Sequence, residues 1–341
     1  MNAAADDLMT PAAPRAVAAF PPQQTFKMLL KREFWEHRGG FLWGPVVAGL
    51  VAIVFAVLGI LAGSVLFHNI AGNSTDGVDI KMHGDASKLG QIGDLALAGG
   101  LGMVFTVFVF VVFFYALGSL YDERKDRSIL FWKSLPISDT QAVLSKLLWA
   151  LVLAPVMAAV IGLAVGLVMW VLAWLAALLN GFEGTSAIFT QAHPLQLIAE
   201  IALSIPVYAL WALPTIGWLM LCSAWARSVP FVWAVVVPLL ACVFVSFLDI
   251  MPGIDIPHGA IWYTVGLRGL LSVVPGTWFL NPEVAASAKD AAMTGPQALT
   301  QSIDVTSSLH ALATVDLWVG AAIGAAMVYG AIRLRRWRDE G

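Results

Sequence analysis

Six long apolar runs constrain this chain more than anything else in it: 41–67, 95–121, 147–179, 195–225, 231–248 and 316–334. A helix needs about 20 apolar residues to cross a bilayer. Each run is continuous and lacks the every-second-residue alternation of a membrane strand, so helices are expected and a barrel is not. The expected fold class is an all-α integral membrane protein with six transmembrane helices. With 59% hydrophobic residues and a mean hydropathy of +0.81, the chain is too apolar for an ordinary soluble domain. The third and fourth runs exceed one bilayer thickness and are expected to tilt or to project into water.

Basic residues set the expected orientation. Lys27, Lys31, Arg32 and Arg38 precede the first run, and Arg124, Lys125, Arg127, Lys133 and Lys146 lie between the second and third. Arg227 lies between the fourth and fifth, and Arg333, Arg335, Arg336 and Arg338 mark the end of the sixth. The other side carries only Lys81, Lys88, Arg268 and Lys289. The positive-inside rule then places both termini in the cytoplasm of a multi-pass inner-membrane protein. Residues 1–22 are rich in Ala and Pro and lack the basic flank and apolar core of a cleaved signal, so a disordered cytoplasmic tail is expected. Residues 335–341 are expected to form a second short cytoplasmic tail. Cys222 and Cys242 both fall in apolar runs and read as small buried hydrophobes, which excludes a disulfide-stapled outer domain.

Two cytoplasmic pieces carry their own pattern. Over 23–40, Phe26, Leu29, Leu30 and Phe34 recur at helical spacing, with Lys27, Lys31 and Arg38 on another face. Such an amphipathic helix is expected to lie along the membrane surface, touching lipid or a partner. The second piece, 121–146, is an island of charge in a chain only 12% charged. The second span is expected to continue as helix through 122–134, presenting Ile129, Phe131, Trp132 and Leu135 beside Asp122, Glu123, Arg124, Asp126 and Arg127. Pro136 breaks that helix. Ser138 with Gln141 fits a capping box that starts a new helix running into the third span. An apolar Ile-Leu-Phe-Trp run is costly to leave in water unless membrane or protein covers it, so this elbow reads as a docking surface joined to two spans.

Glu123-Arg124, Ser128, then Ser134-Leu135-Pro136-Ile137-Ser138 and Lys146-Leu147-Leu148 resemble the signature cytoplasmic loop of ABC-2 type exporter permeases. The Lys31-Arg32-Glu33-Phe34-Trp35 stretch is similar to that family's N-terminal interfacial helix, and the six-span layout extends the resemblance over nearly all the chain after about residue 23. One position departs: the family often has Gly before the Ser/Thr, and this chain has Arg127. The resemblance implies that 122–137 is the coupling helix docking into an ATPase subunit. It implies two ATPase chains and a second permease chain, identical or not, as partners beside membrane lipids. ATP and Mg would be bound by the ATPase, with no cofactor in this chain. No Gly-x-x-x-x-Gly-Lys-Ser/Thr pattern exists here to cradle a nucleotide. No catalytic residue, no metal ligand and no nucleic-acid partner is expected.

Between the fifth and sixth runs, 260–271 is apolar, too short to span, and interrupted by Arg268. It reads as a re-entrant or interfacial helix followed by Val274-Pro275-Gly276 and Trp278. Arg268 and Trp278 are candidates for an outer gate, with headgroup snorkelling the alternative for Arg268. The Gly59/Gly63, Gly162/Gly166 and Gly320/Gly324 pairs offer small faces for helix contact. His68, His83, His193, His258 and His310 share no ligand spacing within a helix. No ionisable residue falls near a span midplane, where an ion-coupled carrier usually needs one. The expected function is therefore an ATP-driven permease subunit and not an enzyme. An ion-coupled secondary transporter and a membrane scaffold or sensor are the alternatives.

Overall fold

The structure is a computed structural model that describes residues 22–73, 86–128, 137–249, 257–282, 284 and 305–337. Among these residues every regular element is helical. In chain order they are α1 (Pro22–Arg38), α2 (Gly44–Asn73), α3 (Ala86–Gly118), α4 (Tyr121–Lys125), α5 (Asp139–Leu148), α6 (Ala154–Leu179), α7 (Ala187–Thr190), α8 (Pro194–Trp225), α9 (Val237–Leu248), α10 (His258–Ile261), α11 (Val305–Ala313) and α12 (Val315–Trp337). Five continuous helices are long and apolar enough to cross a membrane: Gln23–Leu66, Lys88–Gly118, Asp139–Leu179, Ala187–Trp225 and Val315–Trp337. A further apolar helix, Val232–Leu248, is shorter.

Several of these helices carry π turns, and three of those turns have a cause in the sequence. Gly39–Trp43, Trp149–Leu153 and Val232–Val236 each end two residues before a proline: Pro45, Pro155 and Pro238. Proline has no N–H to give and clashes with the carbonyl four residues back. In each turn the residue before the proline donates five residues back: Gly44 to Gly39, Ala154 to Trp149, and Val237 to Val232. The ladder thus shifts register ahead of the proline and the helix continues through it. At Ala234, the carbonyl facing Pro238, the indole Nε1 of Trp218 donates at 2.9 Å and supplies the bond that proline cannot.

Two close helix pairs, α3 with α6 and α8 with α12, form the centre of the bundle, joined through contacts of α3 with α8. Glycines set the first two distances. A Cβ added at Gly166 would lie 2.6 Å from the Leu97 carbonyl oxygen, and one at Gly217 would lie 2.6 Å from that of Gly324. The expected small faces at Gly162/Gly166 and Gly324 are therefore used within the chain, whereas Gly59 and Gly63 have open space around them. α2 packs on α3 and α6 but stays the least enclosed of the long helices.

Two expectations need correction. The second span does not run on as helix past residue 121: α3 ends at Gly118, a turn follows, and α4 is a separate five-residue helix. The turn after α4 places Arg127 at φ 56°, the left-handed region. The amphipathic stretch is also more than a surface helix, because α1 bends at His37 and passes through the Gly39–Trp43 turn into the first span. Its inner face packs on α5.

Candidate functional site

Glu33 is the residue from which the site is built. On α1 it continues the stripe Phe26, Leu29, Leu30, one turn beyond Leu29 and Leu30, so helix geometry carries a carboxylate into the packed face. Only 1% of it is exposed. A bare carboxylate there would be untenable. Lys146 of α5, itself buried, places Nζ 2.9 Å from Oε1, and the hydroxyl of Tyr115 at the end of α3 donates to Oε2 at 2.9 Å.

The same Lys146 ammonium reaches Glu123 of α4, with Nζ 3.2 Å from Oε1. Glu123 Oε2 accepts from Arg335 Nη1 at 2.5 Å, and Oε1 accepts from Arg32 Nη2 at 3.3 Å. Arg335 also donates through Nε to Asp139 Oδ1 at 3.1 Å, at the start of α5. Arg32 pairs through Nε with Glu36 at 3.2 Å. Buried charges thus alternate in sign from α1 through α5 and α4 to α12. Burial by itself would raise the Glu123 carboxyl, but Lys146, Arg335 and Arg32 together draw it down to about 2.

Arg124 extends the cluster to α8. Its Nη2 donates to the carbonyls of Ser223 and Ala226 at 2.6 and 2.9 Å, at the C-terminal end of that helix, where carbonyls lack helical partners. In return the Ser223 hydroxyl accepts from the amides of Leu120 and Tyr121 at 3.0 and 2.9 Å, satisfying the start of α4. Trp149 closes the other side. Its indole donates to the Leu30 carbonyl at 2.8 Å and stacks on Phe34 and Phe41, with centroids 5.7 and 5.2 Å away. It is a buried core residue. A pocket at this cluster, among Leu29, Asp139 and Arg335, holds about 10 Å³, room for roughly one water. The cluster is a joint between helices and not a ligand pocket.

The sequence-derived candidates divide around this joint. Asp122, Asp126 and Arg127 are exposed, as are Lys27, Lys31 and Trp35. Glu123 and Arg124, expected to offer polar contacts to a partner, instead spend their polar atoms inside the chain. Phe26, Leu30, Arg32 and Phe34 are half-buried. Ile129, Phe131, Trp132, Leu135 and Pro136 lie outside the described residues. The Ser138 cap is present: its side chain accepts from the Gln141 amide at 3.2 Å and starts α5. Glu33, Tyr115, Asp139, Ser223 and Arg335 were not among the candidates. A signal existed for two of them, since Glu33 lies in the apolar stripe of α1 and Arg335 continues the buried stripe Ala321, Gly324, Val328, Ala331 of α12.

Arg268 sits at a second buried station. It lies in the π-helix Trp262–Leu271, 4% exposed, with its guanidinium 3.7 Å over the Trp211 ring. Its Nε pairs with Asp316 Oδ1 at 3.3 Å, Nη1 donates to Trp211 O and Ser272 Oγ, and Nη2 donates to Asp316 O. Snorkelling to headgroups is therefore corrected: the charge is neutralised inside the protein by the first turn of α12. Trp278 is buried as well, in the turn after the π-helix. Among the described residues no group of three His, Cys, Asp or Glu side chains is placed to hold a metal.

The fold and the two stations define an all-helical membrane protein whose helices are tied at one end by a buried ionic joint. Comparison with family models, with curated proteins and with solved structures finds no match for this chain.

Proposed function

We propose that this chain is the permease subunit of an ATP-driven ABC-2 type exporter in the inner membrane, receiving work at α4 from a separate ATPase. The observation that carries the reading is the ionic joint itself. Five residues of α4 are tied through Glu123 to α1, α5 and α12, and through Arg124 and Ser223 to α8. A force on the exposed charges Asp122, Asp126 and Arg127 is passed to the ends of helices that run the length of the bundle. In a slack loop the same force would be lost.

Parity supports six crossings. Glu33 near the start of the described chain and Arg335 near its end both reach Lys146 or Glu123, so the first and last long helices meet at one end of the bundle. That meeting fits an even number of crossings between them, one more than the five long helices. Val232–Leu248, about 26 Å long at 1.5 Å per residue, is the candidate for it. The basic residues at that end favour a cytoplasmic side for it and for both termini. The left-handed backbone at Arg127 also supports the family resemblance, because the family's frequent glycine at that position suits such a φ. The buried charges form two stations, the joint at one end of the bundle and Arg268 with Asp316 at the first turn of α12.

The partners under this reading are two copies of the ATPase, which bind ATP and Mg, and a second permease chain. The test is purification of the full chain from native membranes in mild detergent. A P-loop ATPase is expected at one copy per permease chain, and Trp132→Ala is expected to insert normally yet lose that subunit. Recovery of the chain without any ATPase, or full retention of it by Trp132→Ala, overturns the proposal.

A further inference from the structure

A cleft of about 470 Å³ opens between α8, α9, the Trp262–Leu271 helix and α12. Its size lies within the range of small-molecule sites. Its walls are mainly apolar, with Trp218, Val245, Val265 and Ile323 among them; Thr264 adds a hydroxyl already turned to the Ala260 carbonyl, and Arg268 and Asp316 face the cleft as its charged end. From Asp316 to Met327, which also lines it, α12 advances about 16 Å. That is the length of a dodecyl chain.

The polar end has a definite unfilled capacity. A guanidinium carries five N–H donors and an ionised carboxylate about four acceptor positions. Arg268 uses Nε on Asp316 Oδ1, Nη1 on Trp211 O and Ser272 Oγ, and Nη2 on Asp316 O, which leaves one N–H on Nη2. Gly320, another cleft residue, is the position whose missing Cβ leaves room for that nitrogen. The Asp316 carboxylate accepts from Arg268 Nε, from the Tyr263 hydroxyl at 2.6 Å and from Asn281 Nδ2 at 2.9 Å. One acceptor position remains on a side chain 30% exposed. The two charges cancel, so a ligand bearing its own net charge would bring an uncompensated charge into an apolar cleft.

One spare donor, one spare acceptor and no net charge match a single hydroxyl, which donates one proton and accepts on its oxygen. We propose that this cleft is a binding site for a neutral long-chain alcohol, with the hydroxyl bridging Arg268 Nη2 and Asp316 and the alkyl chain running toward Trp218 and Met327. The site stands on its own geometry and does not depend on an ATPase partner.

The test uses the full chain in nanodiscs of a zwitterionic lipid and three photoactivatable probes with a diazirine at the terminal carbon: dodecan-1-ol, dodecanoic acid and dodecyltrimethylammonium. The alcohol is expected to label the cleft residues, to be displaced by excess dodecan-1-ol, and to label them at least tenfold more than either charged probe. Ala241→Trp or Val319→Phe, which fill the cleft from opposite walls, are expected to abolish this labelling while the melting temperature holds. Equal labelling by all three probes, or labelling that survives in a folded cleft-filling variant, shows bulk lipid-like contact only and overturns the assignment.

Discussion

Arg127 holds a conformation that its side chain does not favour. A left-handed φ costs a residue with a Cβ about 1–2 kcal/mol, and glycine recovers most of that while adding its own chain entropy. Because Arg127 is exposed, Arg127→Gly is expected to raise stability by about 0.5–1 kcal/mol, and Arg127→Val to lower it; melting of the purified chain checks both, and a lower midpoint for the glycine variant contradicts the account. Glu123 gives a pH signature. Its carboxyl is drawn from an ordinary 4.5 down to about 2 in the folded chain. A group depressed by folding stabilises above its unfolded value, and that contribution fades as pH falls from about 4.5 toward about 2. Its full worth is about 3 kcal/mol. Glu123→Gln should therefore be less stable at neutral pH and should lack this acid-range slope, read from unfolding midpoints across that interval.

At the scale of elements, prolines and glycines shape the helices more than hydrophobicity does. Pro45, Pro155 and Pro238 each follow a π turn that keeps the helix continuous. The small-residue pairs were visible in the sequence as possible contact faces, but not which of them meet. Gly166 and Gly324 touch backbone of a neighbouring helix, and Gly59 touches nothing. Gly166→Leu is expected to cost about 1–3 kcal/mol by overpacking, whereas Gly59→Leu in the isolated chain should leave the melting temperature unchanged. A neutral Gly166→Leu would mean that α3 and α6 are not packed as described.

For the whole molecule, the membrane class and the helical content were legible in the apolar runs. So were the start of α5 at Ser138 and a short non-spanning helix carrying Arg268. The ionic joint was not legible, for a physical reason. Its members come from residues 32 to 335, and each is locally an unremarkable charge beside a span. Only packing shows that Lys146 bridges Glu33 and Glu123, and that Arg335 returns from the far end of the chain to the same carboxylate. Glu33 could have been flagged by its place in an apolar stripe, but its partner could not. Breaking one member of such a cluster strands buried charge, at about 3–5 kcal/mol, so Lys146→Met is expected to loosen the whole α1, α4, α5 and α12 end. Proteolysis at that end measures it.

The central claim is that α4 receives work from an ATPase through exposed charges backed by this joint. The most direct measurement is the ATP hydrolysis rate of the co-purified ATPase, reconstituted with wild-type chain or with the Asp126→Lys, Arg127→Glu double variant. The account predicts that wild-type chain stimulates hydrolysis and that the double variant does not, at an unchanged melting temperature. Equal stimulation by both chains would contradict it.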